Sequence, residues 1–178
     1  KKSDLGINYN DDNIDVLKND GVNYLANGIG NLSVNNREII KLLERFVKDG
    51  FEFPTIVHQA AVVSKSSLIG EGSMIMENSV IKSNAIIGKF CVINSLSVVS
   101  HECEVGNYTH LSLGSKIGGG VVIGDNVLLG INSSVNPRIL IGSNSVIGSG
   151  AVIVKNIKKH SVVVGNPGKI IKNLDLIQ

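Results

Sequence analysis

Tryptophan is absent from the 178 residues, and aromatic side chains make up only 4% of them, three Tyr and four Phe. A conventional core of this size is built around more large rings, so a core of stacked aliphatic side chains is expected instead. Two cysteines, Cys91 and Cys103, are too few for a disulfide framework and are read as small buried hydrophobes. No apolar run approaches the roughly 20 residues of a membrane span, and the opening KKSDLGINYN lacks a signal-peptide core. A cytoplasmic protein without a membrane span is therefore expected. The net charge of +2 is too small to point to nucleic acid. Acid is also missing locally: from Asn126 to Leu174 there is no Asp or Glu, whereas Arg138, Lys155, Lys158, Lys159, Lys169 and Lys172 fall there. That stretch is either a solvated basic end or a site for a polyanionic ligand. The chain starts without Met, within what reads as the middle of a domain, so further residues are expected to precede it.

What the chain does have is a period of six. Every sixth residue from Val57 (Val63, Ile69, Ile75 and onward to Ile153) is aliphatic, through seventeen hexads without a slip. A second column four residues later, from Ala61 and Ser67 to Ile157, is mostly small. Each hexad reads as one short strand plus a corner, and hexapeptide periodicity is a signature of stacked parallel β-helices. Three hexads per coil close a triangular prism of nearly six coils, with residues eighteen apart lying about 4.8 Å above one another.

The residue before each aliphatic position should face outward, and thirteen of these seventeen are apolar. An exterior so apolar implies burial against other copies of the chain. Three of the four exceptions, Glu104, His110 and Lys116, are consecutive, and His101 lies at the same height. The column through His101 reads Lys65, Ser83, His101, Gly119, Pro137 and Lys155, which puts a glycine of the run Gly118–Gly120 directly above the imidazole. A base beside an accessible backbone N–H suits acyl transfer: the imidazole removes a proton from the nucleophile and the N–H stabilises the oxyanion. The plainer reading is an exposed corner histidine above a glycine that the turn requires. His110 is open between interface packing and ligand contact, while His58 and His160 are read as structural or solvated.

Ahead of the hexads, Val22–Ala26 reads as a strand, Asn27–Asn31 as a glycine turn, REIIKLLERFVKDG as a helix that Gly50 stops, and FEFPTIV as a returning strand. Ser33 or an Asn before Arg37 is a candidate cap. Strand, glycine turn, helix and strand form half of a nucleotide-binding α/β unit. Gly28 and Gly30 are thus either substrate-binding, through backbone N–H groups at a helix N-terminus, or part of a plain turn. The chain divides into a partial α/β nucleotide/sugar-binding subdomain (1–56), a β-helix domain (57–158) and a C-terminal tail (159–178).

The strings FEFPTIVH, INSLSVVSHECEVGNYTHLSLGSKIGGG, VLLGINSSV and VVVGNPGKI resemble the hexapeptide-repeat bacterial sugar acetyltransferases, which include sialic acid O-acetyltransferases and UDP-4-amino-sugar N-acetyltransferases. The resemblance runs from about Val22 to Lys172. It implies a left-handed β-helix, a homotrimer with sites between subunits, acetyl-CoA as co-substrate and a small-molecule sugar acceptor. Carried over by position, the proton acceptor is His101 with Glu102 as its acidic partner, the oxyanion N–H is that of Gly119, acetyl-CoA contacts fall on His110 and Ile131 with Gly130 adjacent, and Asn94 contacts the substrate amine. Within one chain Asn94 and His101 lie on the order of 15 Å apart by strand rise, so a second subunit must supply one of them if both serve one site. The resemblance also implies another βαβ element ahead of Val22.

The leading expectation is direct acetyl transfer to an amine of a nucleotide-linked amino sugar in bacterial surface-glycan biosynthesis. O-acetylation of sialic acid or a related nonulosonate is the alternative. Two remoter readings are a zinc lyase of the β-helical carbonic anhydrase kind, for which His101 and His110 lack a third histidine, and a purely structural solenoid. No metal site is expected.

Overall fold

The computed structural model describes residues 14–27 and 37–174. Each hexad forms one two-residue strand, seventeen in all, from Ile56–Val57 to Val152–Ile153. Strands pair in parallel at a separation of eighteen, Ile56 with Met74 and Val57 with Ile75, and that register repeats up the chain. Three parallel sheets close a triangular prism, a left-handed parallel β-helix of about six coils. We number its faces in the order the chain meets them: the first starts with Ile56–Val57, the second with Val62–Val63 and the third with Leu68–Ile69. Residues Ser161–Val164 join the first face in parallel, and Lys169–Asn173 adds an antiparallel edge strand.

Short strands need sharp corners, and the backbone supplies them in one way. From Gly72 to Gly150, the same position of every hexad has a left-handed φ between 53° and 67°. Asn and Gly tolerate that region, and they occupy nine of these fourteen positions. Phe90, Leu96, Glu102, Tyr108 and Arg138 occupy the rest against their steric preference. Coil-to-coil hydrogen bonds hold them there, as when the N–H of Glu102 donates to the Ser83 carbonyl at 3.0 Å.

The aliphatic column fills the prism. Ile75, Ile81, Ile87 and their successors are buried, as is the small column that packs between them from Ser73 onward. Serine suits that second column because its hydroxyl satisfies corner groups: Ser73 Oγ donates to the Gly88 carbonyl at 2.7 Å and accepts from the Cys91 N–H at 2.9 Å. Val57, Val63 and Ile69 fall short of full burial because no earlier coil lies beneath them.

The helix Arg37–Lys48 buries Leu43 and Phe46 against Phe51, Phe53 and Phe90. On either side of it the expected strands shrink to one parallel bridge, Tyr24 with Glu52, and among the described residues no third strand pairs with them to extend it. A short helix, Ile14–Asn19, precedes them and had no clear sequence signal. These residues pack on the corner between the third and first faces. There Phe53 meets Phe90 edge-on with centroids 5.1 Å apart, and Phe90 stacks on Tyr108 at 5.5 Å. Among the described residues, no helix is long and apolar enough to cross a membrane.

Candidate active site

His101 stands at the corner between the second and third faces, where Val98–Val99 ends and the left-handed Glu102 turns the chain toward Glu104–Val105. Its ring is exposed, and Nδ1 lies 3.1 Å from Glu102 Oε2. An ionised carboxylate can only accept, so Nδ1 carries the proton and Nε2 presents its lone pair. The ring itself lies over Gly119: a Cβ added there would fall 2.5 Å from Nε2 and 2.6 Å from Cε1. Gly119 has no left-handed φ, so the imidazole, rather than the turn, demands glycine at this position. The turn is made by Gly120 (φ 66°), while Gly118 makes room for Pro137 of the next coil.

The N–H of Gly119 has no acceptor among the described residues. At the corner between the third and first faces the equivalent groups are held by side chains one coil above: Lys89 N–H donates to Asn107 Oδ1 (2.8 Å), Asn107 N–H to Asp125 Oδ1 (2.7 Å) and Asp125 N–H to Ser143 Oγ (3.1 Å). Above Gly119 the next coil brings Pro137, whose side chain can accept nothing. The His101 imidazole and an open backbone donor are therefore neighbours at a corner where Gly118, Gly119 and Gly120 carry no side chains.

The remaining expected residues gather elsewhere. Asn94, Gly130 and Ile131 lie at the corner between the first and second faces, at the opposite end of the second face from His101. Asn94 Oδ1 accepts from the Ser95 N–H at 2.8 Å, and Ile131 is exposed. His110 is on the first face between Val92 and Leu128, and it is only 5% exposed within the single chain. Gly28, Gly30 and Ser33 lie outside the described residues. The chain thus brings together His101, Glu102 and Gly119, and separates them from Asn94, His110, Gly130 and Ile131.

Glu104, His110 and Lys116 share a height but not a face, because consecutive hexads fall on the third, first and second faces in turn. They encircle the prism instead of clustering at His101. Only Glu104 and Lys116 lie on the faces that meet at His101, and Lys116 extends to the far corner, where its Nζ donates to the Gly114 carbonyl at 2.7 Å. His101 and His110, at a corner and on a face that does not border it, do not converge on a common ion, and among the described residues no group of three His, Cys, Asp or Glu could hold a metal. Cys91 and Cys103 are both buried, and burial pushes the Cys91 thiol up to about 12 and the Cys103 thiol upward as well.

The family description "bacterial transferase hexapeptide (six repeats)" matches residues 66–101 and 120–155. Among solved structures, PerB from Caulobacter crescentus in complex with CoA and GDP-perosamine is 32% identical, with a TM-score of 0.86 over 92% of this chain and 77% of that one. The acetyltransferase domain of PglB from Neisseria gonorrhoeae FA1090, in complex with acetyl coenzyme A, is 31% identical, with a TM-score of 0.75 over 78% of this chain and 67% of that one. WeeI from Acinetobacter baumannii AYE is also 31% identical, with a TM-score of 0.74 over 78% of this chain and 68% of its own. No curated protein matches the sequence.

Proposed function

This chain belongs to the hexapeptide-repeat, left-handed β-helix family of bacterial sugar acetyltransferases, and from that membership we propose that it transfers acetyl from acetyl-CoA to the amine of a nucleotide-linked amino sugar. The observation that carries the reading is the imidazole of His101 over Gly119, with its tautomer set by Glu102 and an open N–H beside it. The relative solved with CoA and GDP-perosamine favours an amine acceptor over the hydroxyl of a sialic acid.

The reaction follows from those groups. His101 Nε2 accepts the proton from the amine as its nitrogen attacks the thioester carbonyl, and the carbonyl oxygen, gaining negative charge, takes the hydrogen bond of Gly119 N–H. Collapse of the tetrahedral species expels the CoA sulfur, which receives the proton from His101. Attack is direct, because both thiols are buried and held neutral, which makes an acyl-cysteine a poor intermediate.

Two features support a homotrimer with composite sites. The outward positions of the hexads are mostly apolar and many are exposed in the single chain, Val62 at 63% and Leu68 at 65%. The two groups of family residues also stand at opposite ends of one face, so a site using both joins the His101 corner of one copy to the Asn94, Gly130 and Ile131 corner of the next. His110 belongs to the acetyl-CoA side of that composite. The cytoplasm, where acetyl-CoA and activated sugars occur together, is the setting, and surface-glycan precursors are the acceptor class.

Thioester release measured with acetyl-CoA against GDP-perosamine, a UDP-linked 4-amino sugar and free sialic acid tests the acceptor class, with turnover of an amino sugar expected. His101→Ala should abolish transfer while size-exclusion chromatography still reports the trimer. Substantial residual turnover in that variant would sink the assignment of the base.

A further inference from the structure

Lys116 is the one charged residue in the outward row of the second face, which otherwise reads Val62, Val80, Val98, Ser134 and Val152. Its side chain leans along the face to the corner with the first face, where Nζ donates to the Gly114 carbonyl at 2.7 Å. An ammonium has three donors and no acceptor, so this bond orients the group and leaves two donors for other acceptors. Among the described residues it forms no ion pair. The apolar side chains of Leu96, Leu113 and Ile131 stand exposed along the same corner. If a second copy covers this corner, the ammonium loses water and must meet negative charge there, because burying it alone is costly.

Height along the prism says which group it meets. In a cyclic assembly of parallel prisms, residues of one coil meet residues of the same coil. Lys116 and Gly119 belong to one coil and lie toward opposite ends of the second face. When the corner bearing Gly114 and Ile131 of one copy faces the His101 corner of the next, Lys116 Nζ therefore stands level with the open N–H of Gly119.

We propose that Lys116 is a catalytic residue acting in trans, the second donor to the oxyanion that forms over Gly119 of the neighbouring copy. The inference rests on the acetyl-transfer reading and on the composite site. As the amine nitrogen bonds to the thioester carbon, the carbonyl π pair moves onto oxygen. That oxygen accepts from Gly119 N–H and from the Lys116 ammonium while His101 Nε2 takes the amine proton. The carbonyl then re-forms, the C–S bonding pair leaves with sulfur, and sulfur receives the proton from His101. Lys116 keeps its own protons throughout. Because the Gly114 carbonyl holds the ammonium before substrate arrives, little reorganisation is needed as the charge develops.

Lys116→Met and Lys116→Arg test this, using acetyl-CoA with GDP-perosamine or the UDP-linked 4-amino sugar, whichever the wild-type chain turns over faster. Removing one oxyanion donor should lower kcat by about 10² to 10³, with both KM values within about threefold, as for a contact made only in the transition state. Lys116→Arg should recover part of the loss. Mixed trimers of His101→Ala and Lys116→Met chains should regain roughly one quarter of wild-type activity, the share of interfaces that receive both native residues on random mixing. A Lys116→Met kcat within twofold of wild type overturns the proposal, as does a rise in KM alone, or mixtures no more active than their parents. Failure of the parent reading looks different. Turnover by His101→Ala removes the base itself, whereas an inactive His101→Ala beside an active Lys116→Met removes only the role of Lys116.

Discussion

Gly119 and Gly120 are adjacent glycines with different reasons for being glycine, and alanine should separate those reasons. At Gly119 the backbone is ordinary and the obstruction is the imidazole, with the added Cβ 2.5 Å from His101 Nε2. Normal contact between such atoms is near 3.5 Å, so the ring must retreat by about 1 Å. Because the ring is exposed it can do so by rotating outward, at little cost in stability. A misplacement of that size costs about 10²-fold in rate. At Gly120 the nearest atom to an added Cβ is Arg138 Cγ at 3.5 Å, an ordinary contact, while φ is 66°. Alanine there costs about 1 kcal/mol of backbone strain, which lowers the melting temperature by roughly 2–4 °C in a chain of this length and leaves His101 in place. Thermal unfolding and thioester release on both variants complete the experiment. A Gly119→Ala protein with native turnover, or one less stable than Gly120→Ala, would refute the reasoning.

Glu102→Asn should trade activity for stability. Asn accepts a left-handed φ readily, as Asn78, Asn84 and Asn132 do at equivalent positions, so denaturant unfolding should show a gain of about 0.5–1 kcal/mol, while loss of the carboxylate at Nδ1 should cut turnover roughly tenfold or more. Unchanged turnover would remove Glu102 from the mechanism. The buried thiols predict a pH effect of definite sign. With Cys91 raised to about 12 by burial, the folded chain keeps a proton that the unfolded chain releases above about pH 9, so stability falls as pH rises through that window, by up to about 1.4 kcal/mol per unit. Cys91→Ala should flatten the difference between unfolding curves at pH 8 and pH 10, and equal slopes in the two proteins would contradict it. Neither thiol should react with an aromatic disulfide reagent at pH 8 until the protein is denatured.

Much of the fold was legible from periodicity because a β-helix is local in an unusual sense: each contact lies eighteen residues away, and counting reaches it. That arithmetic located all seventeen strands and the position of Gly119 above His101. It also held the faces of Glu104, His110 and Lys116, which a single linear column concealed. The strands around the helix Arg37–Lys48 were overestimated, since alternation reports a chain able to extend and not whether a neighbour is present to pair with it.

Taken alone, the sequence determined the scaffold: its period, its register and the aliphatic and small columns that fill it, all of which follow from a repeat that buries its face only by stacking on its neighbours. The tertiary structure decided the geometry of the candidate site. Whether Glu102 reaches Nδ1, whether Gly119 is glycine for the turn or for the imidazole, and to which corner Lys116 extends all depend on φ values and side-chain directions at the corners. There the six-residue repeat constrains the path of the backbone and leaves the side chains free.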